Sequence, residues 1–345
     1  MRRPIACVAA ALLLVTLAGQ AAAQDVAGFY RGKTIHLIVG FSPGGGYDVY
    51  ARLLARYYGK HIPGNPTFVV QNMAGASSLT AINFIANSVP KDGTVIAAVQ
   101  NQIGYEPMLG LSGAKGAVHF DPLKINWIGS AAKEVAIVAV WAATPFKTLK
   151  DTQENTITTG SAGVATSNSI YANVMNATAG TKFNVITGYK SQTEIYLAME
   201  RGEVQGSAGV FYSSFNSAHG DWLKEGKARI LAQIGLEKHP DLSAVPLVLD
   251  FAKTPEDRQE MELAFGSLVM GRPFVAPEGL PADRIKLLRD SFMATLASPA
   301  LKEDAAKEKL EINGMSGEAI QKLLTSQYKT PQPVVDKVHQ LMMGG

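Results

Sequence analysis

KTIHLIVGFSPGGGYDVYARLLAR, residues Lys33–Arg56, runs from an apolar strand through a glycine turn into a helix. Ile35, Leu37, Ile38 and Val39 form the short apolar run expected of a strand covered on both faces. Pro43-Gly44-Gly45-Gly46 stops that strand without adding side-chain bulk. Beyond the turn, Val49, Leu53 and Tyr57 recur at helical spacing, with Tyr50 and Leu54 widening the face. Glycines at such a junction let a ligand approach backbone N–H groups, where the helix dipole favours an anion. The same residues also suit a tight turn with no ligand, so the surroundings must decide.

Arg2 and Arg3, the apolar stretch Ile5–Leu17 and Ala21-Ala22-Ala23 read as a signal peptide over residues 1–23, cleaved before Gln24. The stretch falls short of the roughly 20 apolar residues of a membrane helix. A periplasmic location is therefore expected. Cys7, the single cysteine, lies in the removed segment, so the exported chain should carry no disulfide. The formal charge of +3 falls to about +1 without the two arginines, which suggests neither nucleic acid nor an anionic membrane surface as partner. About 320 remaining residues suit two lobes of roughly 100–200 residues each.

Strand-like and helix-like segments then alternate. Strands are expected at Thr67–Gln71, Thr94–Gln100, Val135–Trp141, Thr156–Gly160, Phe183–Thr187 and Val204–Ala208. Helices are expected at Ser78–Val89, Thr166–Ala179 and Ser191–Arg201, the last marked by a Ser191/Glu194 capping box. This rhythm implies an α/β chain with parallel sheets between helices, where ligands bind beyond the carboxyl ends of strands. Towards the C-terminus, helices near Pro255–Ala264, Pro281–Ala297, Pro299–Leu310, Gly317–Tyr328 and Pro331–Met342 surround one strand-like run, Phe265–Gly271. Thr254 and Thr330 stand as N-caps before prolines.

Catalytic patterns are missing. The six histidines, His36, His61, His119, His219, His239 and His339, are scattered without zinc-ligand spacing. Gly160-Ser161-Ala162-Gly163 lacks the spacing of a nucleophile elbow, and Pro43–Gly46 is neither a dinucleotide fingerprint nor a P-loop. No catalytic residue, metal or cofactor is expected. What recurs is a small-residue loop between strand and helix: Pro43–Gly46, QNMAGASS at Gln71–Ser78, TTGSAGVATS at Thr158–Ser167 and TGYKS at Thr187–Ser191. One such loop says little, because turns use glycine anyway. Several, split between two halves of an exported chain, suggest a cleft that grips an anion from both sides.

In LIVGFSPGGGYDVYARLLA (Leu37–Ala55), QNMAGASS (Gln71–Ser78), KDGTVIAAV (Lys91–Val99), GSAGVATSNSIYA (Gly160–Ala172), ITGYKS (Ile186–Ser191), RGEVQGS (Arg201–Ser207) and APEGLPADRIKLL (Ala276–Leu288), the chain resembles the exported receptors of tripartite tricarboxylate transporters, the Bug or TctC-like family. The resemblance covers essentially the whole exported chain. It implies an α/β, two-lobed periplasmic binding protein fold of type II, with two crossing strands closing like a flytrap. Lobe 1 would comprise residues 24–128 and 269–345, and lobe 2 residues 129–268. It further implies a monomeric receptor that captures a small organic acid for a membrane permease with large and small subunits. Carried over by motif, first-lobe contacts are Phe41, Ser42, Pro43, Gly44, Gly45, Gly46 and Asp48, with Ala74, Gly75, Ala76 and Ser77. Second-lobe contacts are Ser161, Ala162, Gly163, Thr166, Ser167 and Tyr189.

Against the family pattern, Tyr47 replaces a small residue or threonine, Asn168-Ser169 a segment that often carries histidine, and Gln205 an aspartate, while Leu236–Leu263 departs more broadly. Asp48 has two readings: a helix-start group paired with Arg52, or an acceptor for a ligand hydroxyl, amine or water. Lys190 is either a mobile cation at the site or a solvated surface residue. The ligand is expected to be a di- or tricarboxylate, with an aromatic carboxylate as the alternative that Tyr47, Tyr105, Tyr171, Tyr189, Phe211 and Tyr212 would favour. A bulky residue at Gly45 should block backbone approach. Two other functions stay open: a sensor for a membrane kinase, and an exported enzyme whose base would come from Asp48, Glu134, Tyr189 or Lys190.

Overall fold

The computed structural model describes residues 28–111, 115–164 and 166–344; the signal-peptide reading lies outside them. A first sheet is built on β1 (Thr34–Val39), which pairs in parallel with both β2 (Thr67–Asn72) and β3 (Val95–Ala98). Helices α1 (Gly46–His61) and α2 (Leu79–Asn87) follow β1 and β2. After β4 (Asn126–Ser130) the chain crosses to a second sheet, entered by β5 (Ala136–Trp141). There β6 (Ile157–Ser161), α3 (Ser167–Thr178), β7 (Phe183–Thr187), α4 (Gln192–Glu200), β8 (Gly206–Phe211), α5 (Tyr212–Lys224) and β9 (Ala228–Ile234) follow in turn. Past α6 (Pro255–Phe265) the chain returns as β10 (Pro273–Ala276) and ends in α7 (Ala282–Ala297), α8 (Pro299–Lys307), β11 (Met315–Ser316), α9 (Gly317–Gln327) and α10 (Gln332–Met343).

Strand order is β11-β4-β10-β3-β1-β2 in the first sheet and β7-β6-β8-β5-β9 in the second. Each sheet therefore takes in one antiparallel strand just after the chain crosses over: β10 beside β3 and β4, and β5 beside β8 and β9.

The period of two explains how both faces are covered. Ile35, Leu37 and Val39 of β1 pack with Leu53 and Leu54 of α1, whereas Ile38 packs with Leu79 and Ile82 of α2. In β5, Ala136, Val138 and Val140 enter one core and Ile137 and Ala139 the other. Each buried Leu or Ile here contributes about 1.5–3 kcal/mol relative to exposure. One of these cores is continuous from Ile38 and Trp127 through Val138 and Tyr171 to Phe265 and Val335, so the two sheets share apolar packing. Helix α10 lies against α3 and α6, both attached to the second sheet.

Two local expectations change. Phe265–Gly271 is not a strand: Gly266–Met270 is a short 3-10 turn and the returning strand is β10. A buried apolar run of that length suits a strand or a buried helical turn equally, and only packing separates them. Helix α10 starts without a side-chain cap, although Thr330 precedes it. Elsewhere the caps read from sequence are present: Ser191 Oγ accepts from the Glu194 amide at 3.3 Å, and Thr254 Oγ1 from the Asp257 amide at 3.0 Å.

Where the chain crosses, two buried charges meet. Glu134, on the outward crossing, receives Arg272 Nη2 at 2.7 Å and the Ser213 hydroxyl at 2.6 Å. Arg272 lies on the return, its carbonyl accepting from the Ala131 amide at 2.9 Å and its amide donating to Ser130 Oγ at 3.0 Å. The segments approach so closely that a Cβ on Gly271 would collide with the Glu134 side chain. Removing one partner strands the other charge in the interior, which costs roughly 3–5 kcal/mol, while replacing both by apolar groups is far milder. Urea unfolding should accordingly show Glu134→Ala destabilised by about that amount, and Glu134→Leu/Arg272→Met by much less.

Candidate functional site

β1, β2 and β3 run parallel, so their carboxyl ends and the loops that follow lie along one edge of the first sheet; β6, β7 and β8 present an equivalent edge from the second. A cavity of about 230 Å³ lies between these edges. Its wall takes Phe41 and Tyr47 from beyond β1, Ser77 from beyond β2 and Gln100, Asn101 and Gln102 from beyond β3. The facing wall takes Thr166 and Ser167 from beyond β6, Tyr171 from α3 and Phe211 from the end of β8. Crevices between diverging loops at such strand ends are the usual ligand position in open α/β sheets. A larger surface cavity of about 670 Å³ lies between Glu106–Gly110 and the start of α10, away from these strand ends.

Four of the residues expected from sequence, Phe41, Ser77, Thr166 and Ser167, thus meet in one cavity. The others stand around them. Ser42, Pro43, Gly44, Gly45 and Gly46 form an exposed turn beside the cavity rather than its wall. Gly44 has φ +83°, a left-handed conformation, whereas Gly45 has φ −79° and room for a Cβ, which would meet the Ser42 carbonyl oxygen at an ordinary 3.8 Å. The demand for glycine therefore falls on Gly44, not on Gly45.

Asp48 is buried beneath the turn. It accepts from the Gly44 amide at 2.8 Å, from Arg52 Nε at 2.9 Å and from Asn72 Nδ2 at 2.8 Å, and Asn72 Nδ2 also donates to the Phe41 carbonyl at 2.9 Å. Burial alone would raise its pKa, but the Arg52, Gly44 and Asn72 hydrogen bonds outweigh it and hold the group at about 2. Asp48 shapes the loop; its hydrogen-bonding capacity is taken up by protein.

Ala74, Gly75 and Ala76 lead into Ser77 through a strained turn. Ala76, Ser77 and Ser78 are consecutive non-glycine residues at φ +42°, +52° and +74°. Such conformations cost about 1–2 kcal/mol per residue and persist only where surroundings dictate them. Here Ser78 Oγ donates to the Gly40 carbonyl at 3.3 Å and accepts from the Gln100 amide at 3.1 Å, locking the ends of β1 and β3 to this turn.

In the second half, Ser161 is buried and bonds the Thr166 hydroxyl at 2.7 Å, while Ser169 donates to Ser161 Oγ at 2.7 Å and to the Gly163 carbonyl at 2.8 Å. This hydroxyl cluster folds the Ser161–Gly163 loop with Ala162 facing outward. Because Thr166 is occupied there, no side chain caps the N-terminus of α3, which opens on the cavity at Ser167. Tyr189 packs over Gly160 instead of reaching the cavity. Gln205 accepts from the Thr158 amide at 2.9 Å at the opposite end of β6, and so does not face the cleft.

Sequence reasoning missed Gln100, Asn101 and Gln102, because the strand was extended through Gln100; the rule of carboxyl ends already pointed to the loop beyond the third parallel strand. Tyr47 is fixed by Asn101, its hydroxyl donating to Asn101 Oδ1 at 3.1 Å and accepting from the Asn101 amide at 3.0 Å. Its ring stacks on Phe41 with centroids 4.3 Å apart. Behind it the Arg272 guanidinium lies 4.8 Å from the Tyr47 ring, 5.1 Å from Tyr50 and 5.6 Å from Phe211.

Two outcomes follow from the first loop. Asp48 is depressed in the folded chain, so its stabilisation is present above pH 4 and is lost as pH falls towards 2. Asp48→Asn should be less stable than the parent by about 1–2 kcal/mol at pH 7, and denaturation at pH 2 should bring the two together. Gly44→Ala should cost about 1 kcal/mol through its positive φ, while Gly45→Ala should leave the melting temperature unchanged.

Residues 51–340 match the family described as the tripartite tricarboxylate transporter family receptor. A protein of Cupriavidus necator, described as a UPF0065 protein in the gbd 5′ region, is 25% identical over 98% of this chain and 96% of its own length. Among solved structures, a TctC solute binding protein from Polaromonas superposes with a TM-score of 0.69 at 19% identity, covering 89% of this chain and 99% of that one. The R. palustris protein Rpa4515 with adipate gives a TM-score of 0.62 at 18% identity, covering 90% and 97% respectively. With its twice-crossed pair of sheets and a family match over most of its length, the chain has the two-lobed periplasmic-binding-protein fold and belongs to the tripartite tricarboxylate transporter receptor family.

Proposed function

We propose that this chain is an exported receptor that captures a small carboxylate in the inter-sheet cleft and delivers it to a membrane permease with large and small subunits. The observation that carries this reading is the cavity itself, walled by loops from both sheets and opening on the uncapped N-terminus of α3. A helix start favours an anion through its dipole and free amides. Charge-assisted hydrogen bonds contribute roughly 1.5–3 kcal/mol each, so a few amides and hydroxyls reach micromolar affinity without a ligand-binding arginine. The relative solved with adipate supports a carboxylate as the ligand class.

Receptor is favoured over enzyme because the groups considered as bases are occupied or remote. Asp48 and Glu134 are held in ion pairs, Tyr189 is packed, and Lys190 is exposed outside the cavity. Periplasmic location rests on the N-terminal sequence and the family; no helix among the described residues is long and apolar enough to cross a membrane. In this reading residues 24–128 with 269–345, and residues 129–268, are the two lobes, and they close about the crossing segments around Glu134 and Arg272. Helix α10, part of the returning segment, packs on α3 and α6 and also bonds the Leu109 carbonyl through His339, so it bridges the two halves. Since no single lobe completes the cavity, binding energy favours closure.

Thermal unfolding with a panel of carboxylates and sugars tests the reading. At about 1,000 times its Kd a carboxylate should add roughly 4 kcal/mol and raise the melting temperature, and small-angle scattering should show compaction. A panel in which sugars alone stabilise the chain would overturn the carboxylate assignment, and an unchanged radius of gyration at saturation would overturn closure.

A further inference from the structure

We propose that the cleft is shaped for a planar aromatic monocarboxylate, an assignment that rests on the receptor reading above and narrows its substrate class. Four rings line the cavity, two from each half: Phe41 and Tyr47 from the first, Tyr171 and Phe211 from the second. Phe41 and Tyr47 are parallel to within 4°. Tyr47 is pinned at its hydroxyl by Asn101 and at its ring by the Arg272 guanidinium, which also lies beside Phe211. Tyr171 is held edge-on to Phe265 at 5.3 Å. Within each half these rings are held by protein contacts, and Phe41 and Tyr47, stacked on each other, form one platform, so closure brings two preset apolar faces onto a flat ligand.

Charge points the same way. The side chains lining the cavity besides the rings are Ser77, Gln100, Asn101, Gln102, Thr166 and Ser167, all uncharged. Arg272, which lies against the Tyr47 and Phe211 rings, is already paired with Glu134. A single carboxylate has a place at the start of α3, beside Thr166 and Ser167. The rest of the lining is rings and uncharged side chains with no cation among them, so a second carboxylate would be held more weakly than the first. The volume, about 230 Å³, is below the range of drug-sized sites and suits one substituted ring.

Calorimetric titration of the exported chain with benzoate, adipate and citrate tests the assignment. Benzoate should bind about ten-fold or more tightly than adipate or citrate. A Phe211→Leu chain that retains its melting transition should lose about ten-fold in benzoate affinity. Adipate or citrate binding as tightly as benzoate, or tighter, overturns the aromatic assignment while leaving the carboxylate receptor standing. Unchanged benzoate affinity in Phe211→Leu overturns the ring slot. Failure of all three acids to bind overturns this inference, while the thermal-unfolding panel of carboxylates and sugars decides the receptor reading separately.

Discussion

The buried ion pair between Glu134 and Arg272 is the constraint on which the rest of the molecule is arranged. It sits where both crossings between sheets pass, and its cation is surrounded by Tyr47, Tyr50 and Phe211. A pair of this kind adds little net stability, because desolvating two charges offsets most of their attraction. Its effect is on geometry. Either charge alone would be intolerable in the interior, so the two crossing segments stay together where they pass. The pair also neutralises the guanidinium, and the side chains lining the cavity are uncharged.

In the proposed receptor a neutral cleft would recognise an anion through dipoles. The loops beyond β1, β2 and β6 direct their own polar side chains inward to the backbone. Asp48 is consumed by Gly44, Arg52 and Asn72; Ser78 by Gly40 and Gln100; Ser161, Thr166 and Ser169 by one another and by Gly163. Three side chains expected as ligand contacts, Asp48, Ser161 and Thr166, are thus hydrogen-bonded to other protein groups. The left-handed run Ala76–Ser78 is the clearest sign, since three strained residues persist only because Ser78 is anchored to two strands.

Much of this was legible in sequence because its causes are local. The strand-to-helix passage at Lys33–Arg56, the caps at Ser191 and Thr254 and the pairing of Asp48 with Arg52 depend on residues within a few positions of one another. Periodicity likewise determined that β1 and β5 would be covered on both faces, and the order of motifs determined the family. Tertiary structure alone decided which of these residues share a cavity. Gln100–Gln102, Tyr171 and Phe211 reach it because three strands end at the same sheet edge and a second sheet faces them, and no local pattern encodes that meeting. The same holds for Gly266–Met270, an apolar run whose turn conformation follows from the crossing it must make, and for α10, whose apolar face could have covered either half. Local sequence sets what each segment can bury; which surface it buries against is settled only when the whole chain competes for that surface.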